Sequence, residues 1–214
     1  MKLKVCGMKF PENIESVATL QPDYLGFIFY KKSARYFDGI IPDLSQSIKK
    51  VGVFVDTSTE EIITISNNYN LDVVQLHGDQ SKEFVLNLNG LATLYATKDF
   101  EIWKVFSVGK NFDFNQLKPF ENKVDKFLFD TKGKLQGGNG YAFNWEILKK
   151  YPSKKPFVLS GGIGLEQLEN IKNFLKEDIS KYCYALDLNS AFETEPGVKE
   201  IKKLNEFKNK LSHF

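Results

Sequence analysis

Short apolar runs rich in Val, Ile, Leu, Phe and Tyr recur along the chain. Each is followed by a small or polar break and then by a stretch with apolar residues at helical spacing. The runs predict strands over Leu3–Met8, Tyr24–Tyr30, Lys50–Asp56, Val73–His77, Ile102–Val108, Lys126–Asp130, Phe157–Ser160 and Tyr182–Leu188. The intervening stretches predict helices over Pro11–Leu20, Ser58–Asn68, Ser81–Leu88, Phe114–Phe120, Phe143–Tyr151, Leu165–Leu175 and Gly197–Leu211. The second crossover, around Ile41–Ile48, is short and weakly patterned. Strands alternating with crossovers favour an α/β architecture with the parallel sheet closed into a (β/α)8 TIM barrel, with an open doubly wound sheet as the alternative. No linker or low-complexity segment divides the 214 residues, so one domain over 1–214 is expected.

A barrel of this kind does its chemistry at the C-terminal ends of its strands. Strand alternation puts Lys4 and Cys6 on one side and Leu3 and Val5 on the other. Leu3 and Val5 suit the surrounding helices, so Cys6 points to the axis just below the mouth. A lone strand cysteine is ordinarily a small core residue, the reading that fits Cys183 at the opposite end of the last strand. Position and a lysine of the same parity, which favours a thiolate, set Cys6 apart. Asp130 ends strand six, ahead of a glycine-rich loop from Thr131 to Gly140 that suits a lid. Ser160, Gly161 and Gly162 follow strand seven directly before a predicted helix, and Asn189 and Ser190 follow strand eight. Both loops are places where backbone amides cradle a phosphate. Arg35, after strand two, could grip a carboxylate bidentately or simply sit in a solvated basic loop. His77 ends strand four and faces inward with Gln75, as a ligand contact or as a structural histidine.

Composition narrows the function. Twenty-nine Lys and Arg against 27 Asp and Glu leave a net charge of +2, with no basic stripe for nucleic acid or an anionic membrane. Nineteen phenylalanines read as an aromatic core rather than a base-stacking surface. Two cysteines, no leader-like N-terminus and no long apolar span place the chain in the cytoplasm. With two histidines, no Cys-x-x-Cys pair, no dinucleotide fingerprint and no P-loop, neither metal nor cofactor is expected.

Taken in order, Lys4-Val5-Cys6-Gly7-Met8, Ser33-Ala34-Arg35, Val51-Gly52-Val53-Phe54-Val55, Gln75-Leu76-His77-Gly78, Phe129-Asp130 with Gly137-Gly138-Asn139-Gly140, Ser160-Gly161-Gly162-Ile163, and Asp187 with Pro196-Gly197-Val198-Lys199 resemble the phosphoribosylanthranilate isomerases along nearly the whole chain. The resemblance implies a cofactor-independent Amadori rearrangement of a small phosphorylated sugar in tryptophan biosynthesis, by a monomer or homodimer. It also implies Cys6 as general base, Asp130 as general acid, Arg35 on the anthranilate carboxylate, Asp187 near the substrate, and Ser160, Gly161, Gly162, Asn189 and Ser190 on the phosphate. The chain departs from the family pattern at Asn139, where Thr is usual, and at Asn189-Ser190-Ala191, where Ser-Ser-Gly is usual. The acid and base roles need opposite pKa shifts: apolar Leu128 and Phe129 would keep Asp130 protonated, while Lys4 would favour the Cys6 thiolate. A related histidine-pathway isomerase would need an aspartate where Cys6 stands. A catalytically inert phosphate-binding barrel is the rival from outside enzymology.

Overall fold

The computed structural model describes residues 1–131 and 143–213. Eight parallel strands pair in chain order and close on themselves: β1 Lys2–Cys6, β2 Tyr24–Ile28, β3 Lys49–Phe54, β4 Val73–Leu76, β5 Glu101–Val108, β6 Lys126–Thr131, β7 Phe157–Leu159 and β8 Cys183–Leu188. β8 returns to β1 with Lys4 opposite Asp187, which shuts the barrel and excludes the open-sheet alternative. Alternation sorts the side chains into two layers. Tyr24, Val51, Val73, Trp103, Val105, Leu128, Val158 and Ala185 pack along the axis. Leu3, Val5, Leu25, Phe27 and Phe129 face outward into the larger core beneath the crossovers.

The crossovers are more irregular than the periodicity predicts. The α-helices are α1 Pro11–Ala18, α2 Thr59–Tyr69, α3 Lys82–Tyr95, α4 Leu168–Phe174 and α5 Ile201–Leu211. Ser58 and Ser81 cap α2 and α3 by accepting from the backbone N–H three residues on. α3 runs seven residues past the predicted end at Leu88, through Gly90. A side chain at Gly90 would meet nothing within 4 Å, so the glycine weakens the helix without marking its end. Phe114–Phe120 and Trp145–Lys150 form 3-10 turns rather than α-helices; Pro119 inside the first cannot donate the backbone bond that an α-helix requires there. The stretch 38–47 carries no helix.

The predicted helix over Gly197–Leu211 begins four residues late. A short antiparallel hairpin, β9 Glu193–Glu195 and β10 Val198–Lys199, precedes α5. Pro196 followed by Gly197 at φ +93° makes its turn, the Pro-Gly order that a type II turn uses. The glycine-rich segment 132–140, read above as a lid, lies outside the described residues, with Gly133, Gly137, Gly138, Asn139 and Gly140.

Candidate active site at the barrel mouth

One cleft of about 720 Å³, open to solvent, sits at the C-terminal mouth. Cys6, Arg35, His77, Asp130, Ser160, Gly161, Gly162, Asp187, Asn189 and Ser190 all line it, so every site residue named from the sequence reaches one place. Gln75 and Ala191 line it too.

Cys6 is 4% exposed, with its sulfur beside Gly26 of the neighbouring strand. A Cβ at Gly26 would stand 2.8 Å from Cys6 Sγ and 3.2 Å from Lys4 Cε, so the glycine makes room for both to turn inward. Lys4 is fully buried, and its Nζ donates to Asp187 Oδ1 at 2.8 Å, as the β1–β8 register dictates. This changes the expected electrostatics of Cys6. Burial pushes the thiol up, and Lys4, already neutralised in part by Asp187, only opposes that shift. The resting cysteine is therefore a thiol. Burial also raises the Asp187 carboxyl, with Lys4 working against it, and Ser160 Oγ donates to Asp187 Oδ2 at 3.4 Å. Cys183 packs in the outer core, and burial drives its thiol up to about 12, which makes it inert.

Asp130 is 5% exposed and ends its strand facing inward. Its surroundings differ from those expected. Leu128 lies beneath it on the axis, but Phe129 points outward into an aromatic cluster with Phe157 and Tyr151, because adjacent strand residues face opposite ways. The carboxylate instead accepts from the Thr131 backbone N–H at 2.9 Å, and His77 Nε2 stands 3.4 Å from its Oδ2. Gln75 Nε2 lies 3.5 Å from His77 Nδ1, while Gln75 Oε1 is buried with no partner among the described residues.

The turn after β7 carries Gly161 at φ +86° and Gly162 at φ +64°, a left-handed run that glycine adopts without strain. A Cβ on Gly161 would strike Thr131 and come within 2.8 Å of Asp130 Oδ1. The helix expected at Leu165 starts as a 3-10 turn, Leu165–Gln167, and becomes α-helical only at Leu168. The donors at this loop are thus turn amides more than a helix end. After β8, Asn189 is partly committed, since its Oδ1 accepts from Lys199 Nζ at 2.8 Å.

Arg35 reaches the cleft over Gly7, whose φ of +76° and missing side chain let the arginine stem pass; a Cβ there would lie 2.7 Å from Arg35 Cδ. Of the two expectations, a carboxylate grip or a solvated loop, the guanidinium does grip a carboxylate, but one of this chain. Nε donates to both oxygens of Glu193 at 2.9 and 3.0 Å, and Nη2 to Oε2 at 2.7 Å. Glu193 and Lys199, one on each strand of the β9–β10 hairpin, were not singled out from the sequence. The Pro196–Gly197 turn was the signal that could have placed them side by side. No group of three or more possible metal ligands occurs among the described residues.

A sequence profile described as N-(5'phosphoribosyl)anthranilate (PRA) isomerase matches residues 3–210. This chain belongs to that isomerase family. The N-(5'-phosphoribosyl)anthranilate isomerase of Parabacteroides distasonis is 40% identical over 219 aligned positions, which cover 100% of this chain and 94% of that protein. The crystal structure of the Thermus thermophilus phosphoribosyl anthranilate isomerase superposes with a TM-score of 0.80 at 26% identity, covering 100% and 99% of the two chains. A second isomerase structure, solved in complex with reduced 1-(o-carboxyphenylamino)-1-deoxyribulose 5-phosphate, shares the fold at a TM-score of 0.77 and 24% identity over the full length of both chains. Among the described residues of this isomerase family member, no helix is long and apolar enough to cross a membrane.

Proposed function

We propose that Asp130 and Cys6 are the acid and base with which this isomerase converts N-(5-phosphoribosyl)anthranilate to 1-(o-carboxyphenylamino)-1-deoxyribulose 5-phosphate, an Amadori rearrangement of tryptophan biosynthesis. The observation that carries this reading is that both groups, on β1 and β6, open into the same cleft as the glycine turns and Arg35. Asp130, as the neutral acid, protonates the ribose ring oxygen. The C1–O bond breaks, and the nitrogen lone pair completes a Schiff base cation. Cys6, in the minor fraction that has lost its proton to solvent, then removes the C2 proton as a thiolate, and the C2–H electron pair neutralises the cation as an enolamine, which tautomerises to the ketone. Lys4 is the cation that favours the thiolate, and the Schiff base charge adds to it.

Gly161 and Gly162, with the Asn189–Ser190 loop, line the cleft where backbone amides would receive the phosphate. Arg35 would receive the anthranilate carboxylate, and His77 and Asp187 would complete the substrate site. The barrel over residues 1–214 is read as one catalytic domain that acts without metal or cofactor, as a monomer or homodimer. Two free, buried cysteines fit the reducing cytoplasm.

The test is the loss of phosphoribosylanthranilate fluorescence on adding purified protein. Cys6→Ser and Asp130→Asn should each lower turnover by ~10²-fold or more, the least that a positioned acid or base contributes. Their melting temperatures and product affinity should stay near wild type. Turnover within tenfold of wild type in either variant would remove that residue's role.

A further inference from the structure

The side chain that receives Arg35 is unusual in its burial and in its own partners. The Glu193 side chain is 5% exposed, and besides the three Arg35 hydrogen bonds its Oε1 accepts from Lys199 Nζ at 2.6 Å and from the Gly197 backbone N–H at 3.1 Å. Burial alone would raise this carboxyl, yet the Arg35 hydrogen bond and the Lys199 charge bring it below the ordinary range. Glu193 is thus anchored by its own hairpin, through Lys199 and Gly197, as well as by Arg35.

A guanidinium has two bidentate edges: Nε with one Nη, and the pair of Nη groups. Glu193 takes the first. Nη1 has no partner among the described residues, and Arg35, with its side chain 17% exposed, lines the cleft. Counted as charges, Arg35 and Lys199 share one anion, so this nearly buried cluster is left with a net charge of +1. Lys199, buried with them, is lowered to about 8 mainly by that burial, against the Glu193 carboxylate, with Arg35 adding a smaller push the same way. A cluster built this way is completed by an anion arriving from the cleft side.

We propose that Glu193 is a positioning residue for substrate recognition: it holds the Nε–Nη2 edge of Arg35 and so keeps the Nη1–Nη2 edge aimed into the cleft for an aromatic carboxylate. This rests on the reading that Arg35 receives the substrate carboxylate. Glu193 touches no substrate; it acts by fixing the angle of a group that does, and by keeping a buried arginine from finding other acceptors.

The experiment compares two ligands by calorimetry: reduced 1-(o-carboxyphenylamino)-1-deoxyribulose 5-phosphate and the same compound lacking the ring carboxylate. The wild type should prefer the first by ~10-fold or more, as a charge-assisted contact predicts, and Arg35→Ala should lose that preference. Glu193→Gln, which keeps the size but not the grip, should lose most of it too, while binding the carboxylate-free ligand as before. In turnover, KM should rise about tenfold with kcat within about twofold. A preference kept in Glu193→Gln but lost in Arg35→Ala overturns the role of Glu193 alone. A wild type indifferent to the carboxylate overturns the Arg35 reading and this proposal with it. Should Glu193→Gln fail to fold because two cations are stranded, the paired Glu193→Gln/Lys199→Met variant removes one of them and is read by the ratio of the two affinities alone, since Lys199 also holds Asn189.

Discussion

At the residue scale, the thiol of Cys6 is set by a contest between two nearby features. Enclosure by Gly26 and the barrel wall disfavours a sulfur anion, and Lys4 favours it while spending much of its field on Asp187. Enclosure wins. The sign of the consequence is fixed: a base whose pKa is raised is mostly protonated at neutral pH, so activity should climb as pH rises. The pH profile of kcat/KM reports groups of the free enzyme. Its ascending limb should have a midpoint above the ordinary thiol value of ~8.5. Lys4→Met should move that midpoint higher still, because the cation that lowers it most has gone while Asp187 remains and only Lys199 still opposes the shift. A midpoint below ~7.5 would mean that the thiolate is already formed in the resting protein and that another group limits the rate. Asp130 illustrates the other half of residue-scale reasoning. Its place at a strand end and its inward parity were readable from Phe127-Leu128-Phe129-Asp130, but its neighbours were not. His77 comes from a strand two positions round the barrel, and Gly161 from the loop after the next.

At the element scale, the strands were legible because β-branched and aromatic residues cluster in short runs that no helix pattern imitates. Their facing also followed, since alternation sends Leu3 and Val5 outward and Lys4 and Cys6 inward. The crossovers were less legible. Leu, Ile and Phe at helical spacing serve a 3-10 turn as well as an α-helix, as 114–120 shows, and Gly90 hid the second half of α3. The hairpin escaped because Val198 and Lys199 join smoothly onto the periodic run of α5, which hid the local turn at Pro196–Gly197 that brings Lys199 back against Glu193 and Asn189. The same locality governs the turn after β7. Gly161 combines a left-handed backbone with a gap too narrow for a methyl group beside Thr131 and Asp130. Gly161→Ala should cost ~1–3 kcal/mol of stability and displace the turn. Turnover should drop by more than about tenfold. The extra thermal stabilisation that a phosphorylated product analogue gives over its dephosphorylated form should shrink. An alanine variant that keeps the full difference would show that the amides of this turn do not hold phosphate.

At the scale of the whole molecule, closure of the barrel sets an apolar layer across the axis beneath a polar mouth. Trp103, Val73, Val51, Val158 and Leu128 fill the axis with essentially no exposed surface, and Lys4, Gln75, Asp130 and Asp187 begin just above them. All of those polar side chains are nevertheless buried, so the mouth is narrow as well as polar. Cys6 is 4% exposed and lines the cleft, so in the proposed reaction the bound sugar phosphate stands between its sulfur and the solvent. That fixes the fate of a hydrogen atom. The rearrangement removes one hydrogen from C2 of the sugar and installs one at C1, and a proton held on a sulfur shut between a sealed floor and its own ligand exchanges slowly with the bulk. Substrate carrying deuterium at C2, turned over once in ordinary water, should then yield product in which part of the deuterium sits on C1, read by mass spectrometry. Complete washout would mean that the thiol meets solvent faster than it returns its proton, and that the plugged axis isolates the site from below but not from above.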